Sequence, residues 1–136
     1  VKERNIFNVM INKYDKLMVN GKPCDISELK DKTKTFITPN PNDEKASEVE
    51  TKDIELIGNF MTNKGVVSLK NDRGTSYMMY IAVQNELAKA FNELREEVAM
   101  RYFQQHYADM TDKDKIDAVN KAVPVRVSEA EPEEIK

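Results

Sequence analysis

Apolar and polar residues alternate along the first part of this chain and then change to a helical period. That change sets the expected architecture. In Asn5–Ile11 (NIFNVMI) the odd positions Phe7, Val9 and Ile11 form the stronger apolar face, opposite Ile6, Asn8 and Met10, which is a strand pattern. Asn12–Asp15 reads as a turn and Lys16–Val19 as a returning second strand. Asn20-Gly21 is the strongest hairpin signal in the sequence, since both residues tolerate positive φ. Lys22–Cys24 can pair back as a short third strand. Asp25 or Ser27 begins a first helix with the stripe Ile26, Leu29, Thr33, Phe36 and Ile37, and Pro39 stops it.

Val66–Lys70 is a second β-branched run, expected to be the central strand, and it ends in the turn-forming Asn71-Asp72-Arg73-Gly74. Thr75 or Ser76 can cap the helix that follows. Tyr77, Ile81, Leu87, Phe91, Leu94, Val98 and Tyr102 fall on one stripe, with Glu86, Lys89, Glu93, Glu96 and Glu97 off it. With no Gly or Pro in the way, this helix would run for about 27 residues, roughly 40 Å. Burying each Leu or Phe is worth about 1.5–3 kcal/mol, so the stripe must lie on a sheet.

Elsewhere the pattern is weaker. Pro39–Glu55 is polar and proline-flanked and reads as a surface loop. Leu56–Met61 is apolar, either a short edge strand or a patch under the sheet, and residues 39–63 together form an insertion loop. Thr111 can cap a shorter helix reaching Val119 or Ala122, Pro124 resets the chain, and Val125-Arg126-Val127 reads as a last strand. Residues 129–136 are an acidic tail carrying Glu129, Glu131, Glu133 and Glu134. The expected fold is α+β: a two-layer sandwich with two main helices packed on one face of a single mixed sheet of about five strands. The chain of 136 residues is one domain's worth.

Composition narrows the function. Charged residues make up 33% with a net charge of only −3, a mixed surface with neither a nucleic-acid footprint nor an electrostatic membrane anchor. Cys24 is the only cysteine, so no internal disulfide can form, and a buried thiol is expected. No apolar run approaches the ~18 residues of a membrane span, and there is no signal-peptide pattern.

The strand–NDRGTSY–helix run with YIAVQNELAKAFNELREE resembles the periplasmic domain of the ExbD/TolR family of biopolymer-transport subunits. INKYDKLMVNGKPCDISELK and RVSEAEP fit the same family in the same order. The resemblance implies the same two-layer fold and an inner-membrane-anchored, periplasmic location. It implies work with ExbB-like and TonB-like proteins in the proton-driven motor that energises transport across the outer membrane. The alternative within the family is a TolR-like envelope-integrity subunit that binds peptidoglycan. Family members carry an N-terminal transmembrane helix with a proton-coupling acidic residue. This sequence lacks it, so the chain reads as an excised domain whose full-length form would be a homodimer held by those helices.

No catalytic constellation, metal set or cofactor box emerges, so the chain is not expected to be an enzyme. His106 is the only histidine. Asp112, Asp114 and Asp117 begin like a calcium loop, but no Gly follows and Val123 stands where the bidentate Glu belongs. Glu93, Glu96 and Glu97 read as a wet helical face. The candidate partner-binding residues are of three kinds. Asp72 and Arg73 are either a helix cap with a surface-paired Arg or a charged recognition corner. Tyr77, Met78 and Met79 open the long helix, where Met78 and Met79 can form a second apolar face for a partner subunit. Val125, Arg126 and Val127 are either an interior strand or an edge that takes an added strand, with Arg126 on the opposite face from its neighbours.

Overall fold

The structure, a computed structural model, describes residues 2–132, 134 and 135. Glu133 and Lys136 of the expected acidic tail lie outside the described residues. A five-stranded mixed sheet is built from β1 (Ile6–Ile11), β2 (Leu17–Val19), β3 (Lys22–Pro23), β6 (Val66–Asn71) and β7 (Val127–Glu129) in the order β3-β2-β1-β6-β7. β1 pairs antiparallel with β2 but parallel with β6, and β6 pairs parallel with β7. Helices α1 (Ile26–Ile37) and α2 (Tyr77–Phe103) pack on one face. The architecture is the α+β sandwich the sequence leads one to expect.

Local chemistry explains these elements. Phe7, Val9 and Ile11 are buried while Ile6, Asn8 and Met10 stay half-buried or exposed, so the alternation in β1 places the core face. The β2–β3 hairpin turns on Asn20 (φ 51°) and Gly21 (φ 82°), the positive-φ pair of its turn type. Asp25 caps α1 by accepting from Ser27 N–H at 2.9 Å. Leu29, Thr33 and Ile37 are the buried face of α1; Val83, Leu87, Ala90 and Phe91 are the sheet-facing part of α2. Lys30 and Lys34 reach Glu93 and Glu97 at 2.8 Å each, tying the two helices together. These half-exposed pairs are worth at most ~1 kcal/mol each, so they fix helix register more than stability.

At 27 residues α2 is about twice as long as the six-residue strands beneath it. Its C-terminal turns therefore overhang the sheet and need a second cover. That cover is a two-stranded antiparallel hairpin, β4 (Val49–Ile54) and β5 (Gly58–Asn63), together with α3 (Lys113–Ala122). Phe60 meets Tyr102 edge-on at 5.9 Å between ring centroids, and Ala118, Val119 and Ala122 bury the inner face of α3. Arg95 Nε donates to Val123 O at 3.0 Å, and Tyr107 Oη donates to Asn120 Oδ1 at 2.6 Å, closing this second core.

Several expectations need correction. Residues 39–63 are not a loop throughout, since β4 and β5 pair over their full length. The central strand is β1; β6 lies second from the edge. The last strand is Val127–Glu129, not Val125–Val127, because the parallel register sets Val127 opposite Val67. Asp112, not Thr111, caps α3 through Asp114 N–H at 2.9 Å. Tyr77 leaves the apolar stripe and is 77% exposed, because the buried arc of α2 begins at Met79 and Tyr80. Cys24 is half-buried, with Sγ donating to Asp25 O at 3.2 Å.

Glu48 anchors the hairpin to the start of β1. Its carboxylate accepts from Lys2 Nζ at 2.9 Å and from Asn5 Nδ2 at 2.8 Å. These bonds, that from Lys2 first, pull its pKa down to about 2. A depressed carboxylate stabilises the fold fully above its ordinary pKa and loses that contribution as pH falls toward the folded value. Urea unfolding between pH 5 and pH 2 should therefore show a shallower decline for Glu48→Gln than for the parent. Equal slopes would mean the Lys2–Glu48–Asn5 cluster does not hold in solution.

Candidate functional site

The sheet has two edges, and they differ in what they offer another strand. β3 is two residues long and one of them is Pro23, which has no N–H to offer. β7 is the opposite edge. Val67 N–H donates to Arg126 O at 3.0 Å, and Ala130 N–H donates to Leu69 O at 3.2 Å. Main-chain groups alternate in direction along a strand, so those of Val127 and Glu129 face away from β6.

A groove runs between this edge and α2. It is lined by Gln84, Leu87, Ala88 and Phe91 of the helix and by Val125 and Val127, with a volume of about 230 Å³. An added strand would set alternate side chains into it. Glu129 marks the far end, its Oε1 accepting from Gln84 Nε2 at 2.6 Å. Gln84 Nε2 also donates to Tyr80 Oη at 3.0 Å. Burial first, and then the Glu129 carboxylate, push the Tyr80 phenol up.

The Asp72–Arg73 corner follows β6. Asp72 is 5% exposed, and its N–H continues the parallel ladder by donating to Ile11 O at 2.9 Å. Its carboxylate does not cap α2. Ser76 does, accepting from Met79 N–H at 3.1 Å. Asp72 instead accepts from Ile135 N–H at 2.8 Å and from Gly74 N–H at 2.7 Å, and these two bonds, Ile135 first, hold its pKa below the ordinary carboxylate range. Space is tight at Gly74: a Cβ would stand 3.1 Å from Lys13 Cβ and 3.2 Å from Asp72 Oδ1, so these neighbours would have to give by a few tenths of an ångström. Arg73 is exposed, and its Nε donates to Pro132 O at 3.5 Å. The chain after β7 thus folds back onto the corner, so the edge and the corner form one strip.

Beside the corner, Asp15 Oδ1 accepts from Ser76 N–H at 2.7 Å, joining the β1–β2 turn to the start of α2. That bond lowers the Asp15 pKa. Tyr14 (72% exposed), Tyr77 and Met78 (82% exposed) therefore stand at the same end of the molecule. Met79 does not join them, because it packs against the core. Arg126 is half-buried, with Nη1 donating to Asn63 O at 3.5 Å. Gln84, Leu87, Ala88 and Glu129 were missed by sequence reasoning; the i, i+3, i+4 spacing of the first three was the available signal.

Glu96 Oε1 lies 2.9 Å from His106 Nδ1, and Glu93 and Glu97 are held by lysines of α1, so each of the three carboxylates has a partner on the surface. Among the described residues no group of three or more His, Cys, Asp or Glu is placed to hold a metal ion. Among them, too, no helix is long and apolar enough to cross a membrane. No curated protein matches the chain. The family described as biopolymer transport protein ExbD/TolR matches residues 1–95, from the start of the chain into the middle of α2. This match covers well over half the chain, and the chain belongs to the ExbD/TolR family of biopolymer transport proteins.

Proposed function

We propose that this chain is the periplasmic domain of an ExbD-type accessory subunit, which works with an ExbB-like protein in the inner membrane to energise a TonB-like partner. Its part in the complex would be to take an extended segment of that partner along β7. The observation that supports this is the open β7 edge beside an apolar groove, on a sheet whose other edge is blunted by Pro23. Main-chain bonds would supply affinity, and the groove would select alternate apolar residues. The candidate residues for this role are Val125, Val127 and the corner Asp72–Arg73. Two copies would be brought together by membrane segments, whose high effective concentration spares the periplasmic part from having to bind tightly by itself.

A TolR-like reading has its own support. Tyr14 and Tyr77 are the chain neighbours of the bonded Asp15 and Ser76 and both are largely exposed, and exposed aromatic rings are the kind of group that stacks on sugar rings. Co-sedimentation with purified peptidoglycan, run beside capture on a TonB-like periplasmic fragment, separates the two. The fragment is expected to bind and peptidoglycan is not. Pelleting with peptidoglycan that is lost in a Tyr14→Ala/Tyr77→Ala double variant would reverse the assignment.

A further inference from the structure

A second cavity lies where the overhanging half of α2 meets the hairpin and α3, and it shares Phe91 with the groove beside β7. Its volume is about 240 Å³, and its walls include Ile37, Phe60, Phe91, Leu94, Val98 and Val123. An engineered apolar cavity of about 150 Å³ takes benzene, so this one has room for a longer hydrocarbon.

The polar groups around it are already engaged. Asn63 Nδ2 donates to Phe36 O at 3.0 Å and its Oδ1 accepts from Gly65 N–H. Thr38 Oγ1 donates to Lys34 O at 2.6 Å, and Glu97 is paired with Lys34 at 2.8 Å. Among the described residues no buried side-chain nitrogen or oxygen lacks a partner. The side-chain polar atoms of the interior are thus engaged, and most of the wall offered to a ligand is carbon.

The mouth is different. Arg101 lines it, and among the described residues no carboxylate lies within ion-pair distance of its guanidinium. The guanidinium sits 5.2 Å from the Tyr102 ring centroid, which leaves its N–H edge for an incoming anion. Glu97, the other charged residue of the lining, is paired with Lys34, so Arg101 is the lining charge without an ion-pair partner among the described residues.

We infer that this cavity is a binding site for a small amphipathic carboxylate, whose hydrocarbon fills the pocket while its carboxylate pairs with Arg101. Octanoate, octanol and octylamine are the probes, with calorimetry for affinity and methyl chemical shifts of Leu94, Val98 and Val123 for location. Octanoate is expected to bind saturably, one per chain, and to move those methyls. A charge-assisted bond at the mouth should make it about tenfold tighter than octanol, with octylamine weaker still. Arg101→Gln, at an exposed position, should bring octanoate down to the level of octanol and leave octanol unchanged. Absence of saturable octanoate binding, equal affinity for octanol, or octanoate binding that Arg101→Gln leaves intact would each overturn the assignment.

Discussion

Val127→Pro should lower the affinity for an extended partner segment by tenfold or more while the domain stays folded. The substitution removes an N–H that faces away from β6, so the bonds between Val67 N–H and Arg126 O and between Ala130 N–H and Leu69 O are untouched. Proline also asks its preceding residue to be extended, which suits a position entering a strand. A docked segment would lose one main-chain bond and keep its carbonyl unpaired beneath the groove, at a cost of about 1–3 kcal/mol. The middle of that range is more than a factor of ten in affinity. Ser128→Pro is the control: its N–H points toward β6, so it should loosen β7 itself and raise amide exchange at Leu69. Unchanged binding by Val127→Pro would move the docking site away from this edge.

The largest effect on stability is expected at Leu69. Its side chain is 1% exposed, in the strand that joins the central β1 to β7 and under α2. Leu69→Ala should cost about 2–5 kcal/mol through lost burial and the cavity left behind. Domains of this size carry only ~5–15 kcal/mol in total, so the loss is a large share. Lys70→Ala, next in sequence but exposed, should stay within about 0.5 kcal/mol of the parent. Urea midpoints at constant m-value measure both. A cost below about 1 kcal/mol for Leu69→Ala would mean that this layer is not close-packed.

The parts of the fold that were legible are those in which one residue type does one job. Alternation in β1 gave its buried face, Asn20-Gly21 gave the hairpin, and the uninterrupted 3.6 period gave α2 nearly to the residue. The β4–β5 hairpin was only partly legible: Leu56–Met61 allowed a short strand as one of two readings, and β4 was read as loop. It lies on the surface, so Glu50, Thr51 and Asp53 are all exposed and no two-residue period survives. Its turn also lacks the usual signals: Leu56 adopts φ 73°, and only Gly58 (φ 92°) is a residue suited to that region. The position of β7 was missed by two residues because its register is set by β6 across the sheet, not by its own short pattern.

The site divides in the same way. The shortness of the last strand and Pro124 allowed an edge or an interior strand, and the strand order makes it an edge. The groove beside it was not readable, because Gln84, Leu87 and Ala88 look like ordinary helix positions until β7 is set against them. Asp72 illustrates the limit: its partner Ile135 lies 63 positions away, so its local context suggested a cap that Ser76 in fact supplies.

The parallel run of β1, β6 and β7 has a mechanical consequence. All three strands begin at the end of the sheet where the chain enters and finish at the Asp72 end. Suppose the domain is held through its first residues and a segment docked on β7 is pulled out past Asp72. The tension then runs along the strands, and every main-chain bond to the segment shares the load at once. A segment leaving past Arg126 would instead be peeled, one bond after another, at much lower force. The same edge would thus grip in one direction and release in the other.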